Sequence, residues 1–208
     1  AGVPKIPNYS LFYNYFAHDL VDNPFNPTET FFQGISSLKL SHYFVYSGGT
    51  EINQIPYWSL DSETTEDLNL GEASDRFMTI LETSITRRLR SDVPVGTSLS
   101  GGLDSSTIVG LISQFQKNNF TISARFKNYK KDEGNYINLI KTKFSTNHHD
   151  IYVDGDDFIN NLDKLVYHQE EPFQTGSIFA QYCVYRKSRA LGIPVMLDGQ
   201  GADELLCG

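Results

Sequence analysis

A run of β-prone residues, Pro94–Leu99, stops at two adjacent glycines, and an apolar-periodic stretch begins directly behind them. The junction reads Ser98-Leu99-Ser100-Gly101-Gly102-Leu103-Asp104-Ser105-Ser106, and no other feature restricts the fold as much. A strand that turns on glycine into a helix commits the segment to a β–α unit. The glycines let the backbone turn tightly and approach a ligand with no Cβ in the way. The N–H groups of Ser105, Ser106 and Thr107 are expected to point out of the helix start. With the hydroxyls of Ser100, Ser105 and Ser106 they form a cradle for polyphosphate. Asp104 is the odd member. A carboxylate beside phosphates is repulsive unless a divalent cation lies between them, so its presence implies Mg²⁺. A helix start that merely happens to be rich in Ser and Gly is the weaker reading, because SGGxDSS at a strand–helix junction is far more specific than a lone GxGxxG. No GKS or GKT follows, which excludes a Walker A loop.

The alternation extends on both sides of this junction. Phe77, Leu81, Ile85 and Leu89 recur at every fourth position, with Ile80 widening the stripe, which predicts an amphipathic helix of about 20 residues from Gly71. Glu72 and Asp75 near its start and Arg87, Arg88 and Arg90 near its end suit the helix dipole, and Val93-Pro94 stops it. Beyond the junction, Ile108, Leu111, Ile112 and Phe115 mark a helix. Phe120–Phe126 alternates, with Phe120, Ile122, Ala124 and Phe126 on one face. Ile137 and Ile140 sit in a helix around Tyr136–Phe144, and His149–Val153 reads as a third strand. Helices carrying Phe158, Leu162, Leu165 and Val166, and then Ile178, Tyr182, Tyr185 and Arg189, lead to a fourth strand at Ile193–Leu197. The order β-α-β-α-β-α-α-β predicts an α/β fold, a parallel sheet with helices on both faces. A second glycine-rich cluster, Leu197-Asp198-Gly199-Gln200-Gly201-Ala202-Asp203-Glu204, follows the fourth strand. Its bland reading is an acidic turn and helix cap.

Residues 1–60 are written differently. Pro4, Pro7, Pro24, Pro27 and Pro56 punctuate a Tyr-, Phe- and Asn-rich stretch that shows almost no helical periodicity. It reads as a turn-rich β segment, with Gly48-Gly49 as the turn of a hairpin between Tyr43–Tyr46 and Ile55–Leu60. Residues 61–70, polar and acidic, read as a linker. The division expected is therefore 1–60, 61–70 and 71–208.

Charge removes several function classes. The 208 residues hold 17 Lys and Arg against 25 Asp and Glu, a formal net charge of −8. That lacks the electrostatic footprint of a nucleic-acid binder or of a protein lying on an anionic membrane. No apolar run approaches the roughly 20 residues needed to span a bilayer, and no signal-peptide core opens the chain. Cys183 and Cys207 form neither a disulfide framework nor a CxxC pair, so a cytoplasmic, reducing compartment is expected.

At the two glycine clusters the chain resembles a known family. SDVPVGTSLSGGLDSS (Ser91–Ser106) and VMLDGQGADELLCG (Val195–Gly208) are similar to the synthetase domain of glutamine-dependent asparagine synthetases and their relatives, β-lactam synthetases included. TISARF (Thr121–Phe126), HHDIYV (His148–Val153) and VYHQEEP (Val166–Pro172) add to the likeness. TETFFQGISSLKLSHYFVY (Thr28–Tyr46) and YWSLD (Tyr57–Asp61) resemble the last strands of that family's N-terminal glutaminase domain, so nearly the whole chain is covered. The resemblance implies a PP-loop ATP pyrophosphatase fold, also called adenine nucleotide alpha hydrolase-like, with strand order 3-2-1-4 and both loops at the carboxyl ends of adjacent strands. It implies that ATP adenylates a carboxylate, aspartate being the expected acceptor, with release of pyrophosphate. Ammonia from glutamine, delivered by a glutaminase domain, would then attack. Ser100, Gly101, Gly102, Ser105 and Ser106 would hold pyrophosphate. Asp104 and Asp203 would bind Mg²⁺. Leu99 and Ala124 would line the adenine slot, Gly199 would lie beside the ribose and acyl group, and Glu204 would face the substrate. Gln200 stands where asparagine synthetases carry a glutamate, which leaves three readings: a base changed or relocated to Glu204 or Glu170, an amine that needs no base, or amide formation lost with adenylation kept. The first is preferred because both Mg²⁺ carboxylates are retained. With no N-terminal Cys, and with an end at Gly208, the chain is expected to be a fragment without glutaminase activity, inactive alone. A homodimer is left open.

Other readings are weighed against these. A ligase acting on another carboxylate and a non-catalytic nucleotide-binding module both fit the loops. tRNA-modifying proteins share SGGxDSS, but the charge of −8 and the absence of CxxC oppose them. His148-His149 reads as a strand start rather than a metal site. Asp154–Asp157 reads as a helix cap rather than a calcium loop. His168–Pro172 is read as structural, with a place near the substrate as the alternative, Cys183 as a buried small apolar residue, Cys207 as unactivated, and Tyr57 and Trp58 as packing residues at the domain junction. Lys127, Lys130 and Lys131 are assigned to a solvated loop.

Overall fold

The computed structural model describes residues 3–49, 52–61, 65–117, 119–127, 129–130 and 132–206. Lys131, Cys207 and residues 62–64 of the expected linker lie outside these. The chain divides into two compact units, Ala1–Asp67 with Val166–Thr175, and Leu68–Leu165 with Gly176–Gly208.

The first unit departs from the turn-rich β reading at its start. Tyr9–His18 is a helix, α1, capped by the Asn8 side chain on Leu11 N–H and ended by Asp19 in the left-handed region. All five prolines lie outside it, and Leu11, Phe12, Tyr15 and Phe16 recur at helical spacing within a stretch so aromatic that the pattern is masked. Phe31, fully buried, packs edge-on against Phe12 and Tyr15. The Asn8 amide donates to Glu29 at 2.7 Å and to the Thr30 carbonyl at 3.1 Å. The expected hairpin is present but short: β1 (His42–Tyr43) pairs antiparallel with β2 (Ile55–Pro56). Residues 166–175 join this unit through Tyr15 Oη donating to the Phe173 carbonyl and Phe31 N–H donating to Glu171. Glu171 thus has a structural task, as read for the His168–Pro172 run.

The second unit opens with α2 (Leu70–Arg88), held at its start by a reciprocal capping box between Asn69 and Glu72. Then come β3 (Val95–Ser98), α3 (Leu103–Phe115), β4 (Phe120–Arg125), α4 (Gly134–Lys143), β5 (Asn147–Tyr152), α5 (Gly155–Gln169), α6 (Ser177–Ala190), β6 (Val195–Met196) and α7 (Ala202–Leu206). The sheet is parallel, in the order β5-β4-β3-β6, which is the expected 3-2-1-4. Chain direction across the sheet reverses after β5. Right-handed crossovers therefore put α3 and α4 on one face and α6 on the other. β4 is central and buried on both sides: Thr121 and Ser123 are as enclosed as Ile122, so the single apolar face expected from its alternation is not how it is used. Ile85 of α2 packs with Leu111 and Ile112 of α3, and Leu99, Val109 and Ile137 form a second cluster under Phe144 and Ile140. Gly96 brings β3 onto Met196 and Ile193, where an added Cβ would meet atoms at 3.0 and 3.1 Å. Among the described residues no helix is long and apolar enough to cross a membrane.

Candidate functional site

β3 and β6 are neighbours, and both end at glycine-rich loops. The first loop turns at Gly101, whose φ of +90° is open only to glycine at low cost. Ser100 and Ser105 lock it: Ser100 N–H donates to Ser105 Oγ at 3.2 Å, the two hydroxyls lie 2.9 Å apart, and Gly102 N–H donates to Ser100 Oγ at 3.2 Å. Ser123 Oγ donates to the Leu99 carbonyl, fixing the strand end from β4.

The helix begins at Leu103, which corrects the expected set of donors. Ser106 N–H is already bonded to the Gly102 carbonyl at 3.1 Å, and Thr107 lies deeper in the helix. The positions with no carbonyl one turn back are Leu103, Asp104 and Ser105. The anion-facing end of α3 is thus displaced toward Gly102, and the Ser106 and Thr107 amides are not available to a ligand.

The second loop is anchored by Asp198. Its Oδ1 accepts Ser98 N–H at 3.0 Å and its Oδ2 accepts Tyr185 Oη–H at 3.0 Å. Burial, then the Asp198 charge, push the Tyr185 phenol above its usual range. One residue on, Gly199 sits against the first turn of α3. A Cβ there would lie 3.2 Å from Asp104 Cβ, 3.3 Å from Asp104 C and 3.4 Å from Ser105 N. The two clusters, 95 residues apart in sequence, thus approach so closely that one methyl group added at Gly199 would touch Asp104 and Ser105.

Together they line a cavity of about 710 Å³. Of the residues singled out, Leu99, Ser100, Asp104, Ser105, Ala124, Gly199, Gln200, Asp203 and Glu204 line it; Gly101, Gly102 and Ser106 do not. Glu170 belongs to the first unit and is not among the lining residues. The cavity also takes in residues that motif reading missed: Ile122, Phe126, Tyr129, Asp132, Glu133, Gln181 and Asp198. Asp198 could have been given a role, since it stands inside the second cluster, directly before Gly199. Asp132 could not, because a lone loop carboxylate belongs to no motif, and its partners Arg125, Phe126 and Gly134 are fixed only by the fold of the loop. Arg125 holds the Asp132 carboxyl down to about 2 through paired hydrogen bonds. On the far side of Asp150 from Arg125, the His148 side chain is 6% exposed, and burial pushes it toward the neutral form, with Nδ1 at 2.9 Å from Thr121 Oγ1 and Nε2 at 3.2 Å from Asp150. His148 is therefore tied into the pairing of β4 with β5, as a strand residue would be. Cys183 is buried too. Among the described residues no group of three or more His, Cys, Asp or Glu is placed to hold a metal by itself.

Residues 76–208 match the asparagine synthase family, and the chain belongs to it. An asparagine synthetase-type (glutamine-hydrolyzing) protein 2 of Methanocaldococcus jannaschii is 37% identical over 161 residues, 76% of this chain and 30% of that protein. Asparagine synthetase 1 (glutamine-hydrolyzing) of Bacillus subtilis is 30% identical over 146 residues, 70% of this chain and 22% of its own length. The chain thus spans less than a third of either relative. Among solved structures, an NH3-dependent NAD synthetase from Campylobacter jejuni is 18% identical with a TM-score of 0.43, over 67% of this chain and 60% of that one.

Proposed function

We propose that this chain carries the ATP-handling part of an amide-forming ligase of the asparagine synthetase type. ATP adenylates a substrate carboxylate with loss of pyrophosphate, and an amine displaces AMP from the acyl-adenylate. The observation that carries this reading is the approach of Gly199 to Asp104 and Ser105, which closes two glycine loops around one cavity at the carboxyl ends of β3 and β6. Ligands of open α/β sheets bind at that position.

Residue roles follow from the chemistry each group offers. Ser100 and Ser105, with the free N–H groups at the start of α3, would hold the departing pyrophosphate. Leu99 and Ala124 would form the floor of the adenine slot, and Gly199 would pass close to the ribose and acyl group. Asp104 and Asp203 would hold Mg²⁺, which neutralises charge as the phosphate bond breaks. The donor set fits: Mg²⁺ takes one or two carboxylates and completes its shell with phosphate and water. Glu204 would face the acceptor. Gln200 can orient by hydrogen bonding but cannot accept the amine's proton, so that task is assigned to Glu204, which lines the same cavity. Aspartate as acceptor, glutamine-derived ammonia as donor, and a glutaminase-type origin for the first unit are parts of the same proposal.

ATP–pyrophosphate exchange, run against a panel of small carboxylates, tests it. Exchange that depends on aspartate supports the full reading. Exchange that depends on a different carboxylate keeps the ligase and changes the acceptor. Tight ATP binding with no exchange under any carboxylate, in a chain joined to its natural continuation, favours a nucleotide-binding module instead.

A further inference from the structure

The ion-pair cluster at the end of β4 has no part in the phosphate chemistry above, yet it shapes the same cavity. The guanidinium of Arg125, the last residue of β4, grips Asp132: Nε lies 3.0 Å from each carboxylate oxygen and Nη2 2.7 Å from Oδ2. Its Nη1 reaches Asp150 Oδ1 on β5 at 3.2 Å. The side chains of Arg125, Asp132 and Asp150 are 15%, 17% and 25% exposed, so the cluster is largely shielded from water.

Asp132 uses its remaining lone pairs on the backbone. Oδ1 accepts Phe126 N–H at 3.0 Å and Oδ2 accepts Gly134 N–H at 3.3 Å. Phe126 is where the chain leaves β4, and Gly134 is where α4 begins. One carboxylate therefore pins both ends of the connection, and Arg125 pins the carboxylate. Phe126, Tyr129, Asp132, Glu133 and Ile137 come from this connection and the first turn of α4, and all five line the cavity beside Ala124. Space at Gly134 has been given up to the arginine: a Cβ there would lie 1.9 Å from Nη2 and 2.6 Å from Cζ. Lysine, a point charge, cannot reproduce this planar, bidentate grip.

We propose that Arg125 is a positioning residue that holds the base-side wall of the cavity and so sets affinity for the nucleoside half of ATP. This rests on the nucleotide reading above. The hydrogen bonds of the phosphate half run among Ser100, Gly102 and Ser105, and Arg125 makes none of them. Gly101 passes Glu133 and Tyr136 closely but brings no side chain to them.

The two halves can be titrated apart. Calorimetry with Mg·ATP and with Mg·tripolyphosphate, on wild type, Arg125→Gln and Asp132→Asn, reads each. Arg125→Gln is expected to weaken ATP at least tenfold while tripolyphosphate stays within twofold. Asp132→Asn keeps the side-chain shape and weakens ATP in the same sense, and it carries the test if Arg125→Gln does not fold. Equal losses for both ligands, or no loss for either, would overturn the proposal and leave Arg125 as a general folding contact. Wild type that binds tripolyphosphate but not ATP overturns it as well. Wild type that binds neither ligand overturns the nucleotide reading itself, and this inference with it.

Discussion

Replacing Gly199 by alanine probes the contact on which the site depends. The new methyl group would meet Asp104 Cβ at 3.2 Å, Asp104 C at 3.3 Å and Ser105 N at 3.4 Å. Carbon pairs settle at about 3.5–4.0 Å, so the loop must retreat by roughly 0.4 Å. The helix cannot give way instead. Two of the three atoms are backbone, and Ser105 is held by its hydroxyl bonds to Ser100 and Gly102. Nor can the loop swing freely, since Asp198 ties it to Ser98 and Tyr185. Overpacking of this kind costs about 1–3 kcal/mol, and the low end applies because Gly199 is not in the left-handed region and carries no backbone strain on substitution. A loss near 1 kcal/mol corresponds to a fall in Tm of about 2–4 °C for a chain of this size. The functional effect should be larger, because sites are held to within about 0.5 Å of working geometry and a 1 Å misplacement can cost roughly 100-fold. About a tenfold loss of Mg·ATP affinity is expected by calorimetry. Gly155→Ala, at the start of α5 with open space around it, is the control and should leave ATP affinity unchanged and Tm no lower. A folded Gly199→Ala chain that binds ATP within twofold of wild type would show that the approach of the two loops is not part of a nucleotide site.

Two further outcomes follow from buried groups. The Arg125 hydrogen bonds hold the Asp132 carboxyl down to about 2, against an ordinary value near 4. Their stabilising effect is complete above that ordinary value and is lost as pH falls through 2. The gap in Tm between wild type and Asp132→Asn should therefore shrink between pH 4 and pH 2; a constant gap would contradict it. Burial, with the Asp157 charge adding to it against Arg186, pushes the Cys183 thiol up to about 11. In a Cys207→Ser chain, native Cys183 should react with iodoacetamide at pH 8 about a hundredfold more slowly than in urea, and equal rates would refute the buried thiol.

Much of the second unit could be read from its residues because its signals are local. A strand that ends on glycine and a helix with apolar residues at i, i+3 and i+4 need no distant partner to be recognised, and the chirality of crossovers then orders the strands. The two loops were found for the same reason. What escaped depends on partners far away. The Arg125–Asp150 contact arises only when β4 and β5 pair in the observed register, which sets Ser123 beside Asp150 and Arg125 beside Tyr152. The inner face of β4 looked single because Thr121 and Ser123 are polar, yet both are buried, Thr121 against Thr146 and His148 and Ser123 against Leu99. Helix α1 escaped for a different reason: prolines on either side suggested irregular chain, although none falls within it.

The electrostatics of the cavity add a condition that neither loop states alone. Six carboxylates line it, those of Asp104, Asp132, Glu133, Asp198, Asp203 and Glu204, and among the described residues no Lys, Arg or His does. Two are already committed, Asp132 to Arg125 and Asp198 to Ser98 and Tyr185. The other four would add negative charge to the cavity around any phosphate bound there. Two like unit charges 4 Å apart repel by about 4 kcal/mol at an effective dielectric of 20, whereas a helix N-terminus returns about 0.3–1 kcal/mol. The amides of α3 cannot offset even one such contact, so a polyphosphate has to enter with its cation. The carboxylates in turn make no cluster able to hold a metal without the phosphates. Nucleotide and metal should therefore bind only together, each raising the affinity for the other by the same factor. Calorimetry should show no heat for ATP in EDTA, none for millimolar Mg²⁺ alone, and a clear isotherm for the two combined that is weakened in Asp104→Ala. ATP bound as tightly in EDTA as in Mg²⁺ would mean that Asp104 and Asp203 face away from the phosphates, and their assignment to the metal would fail.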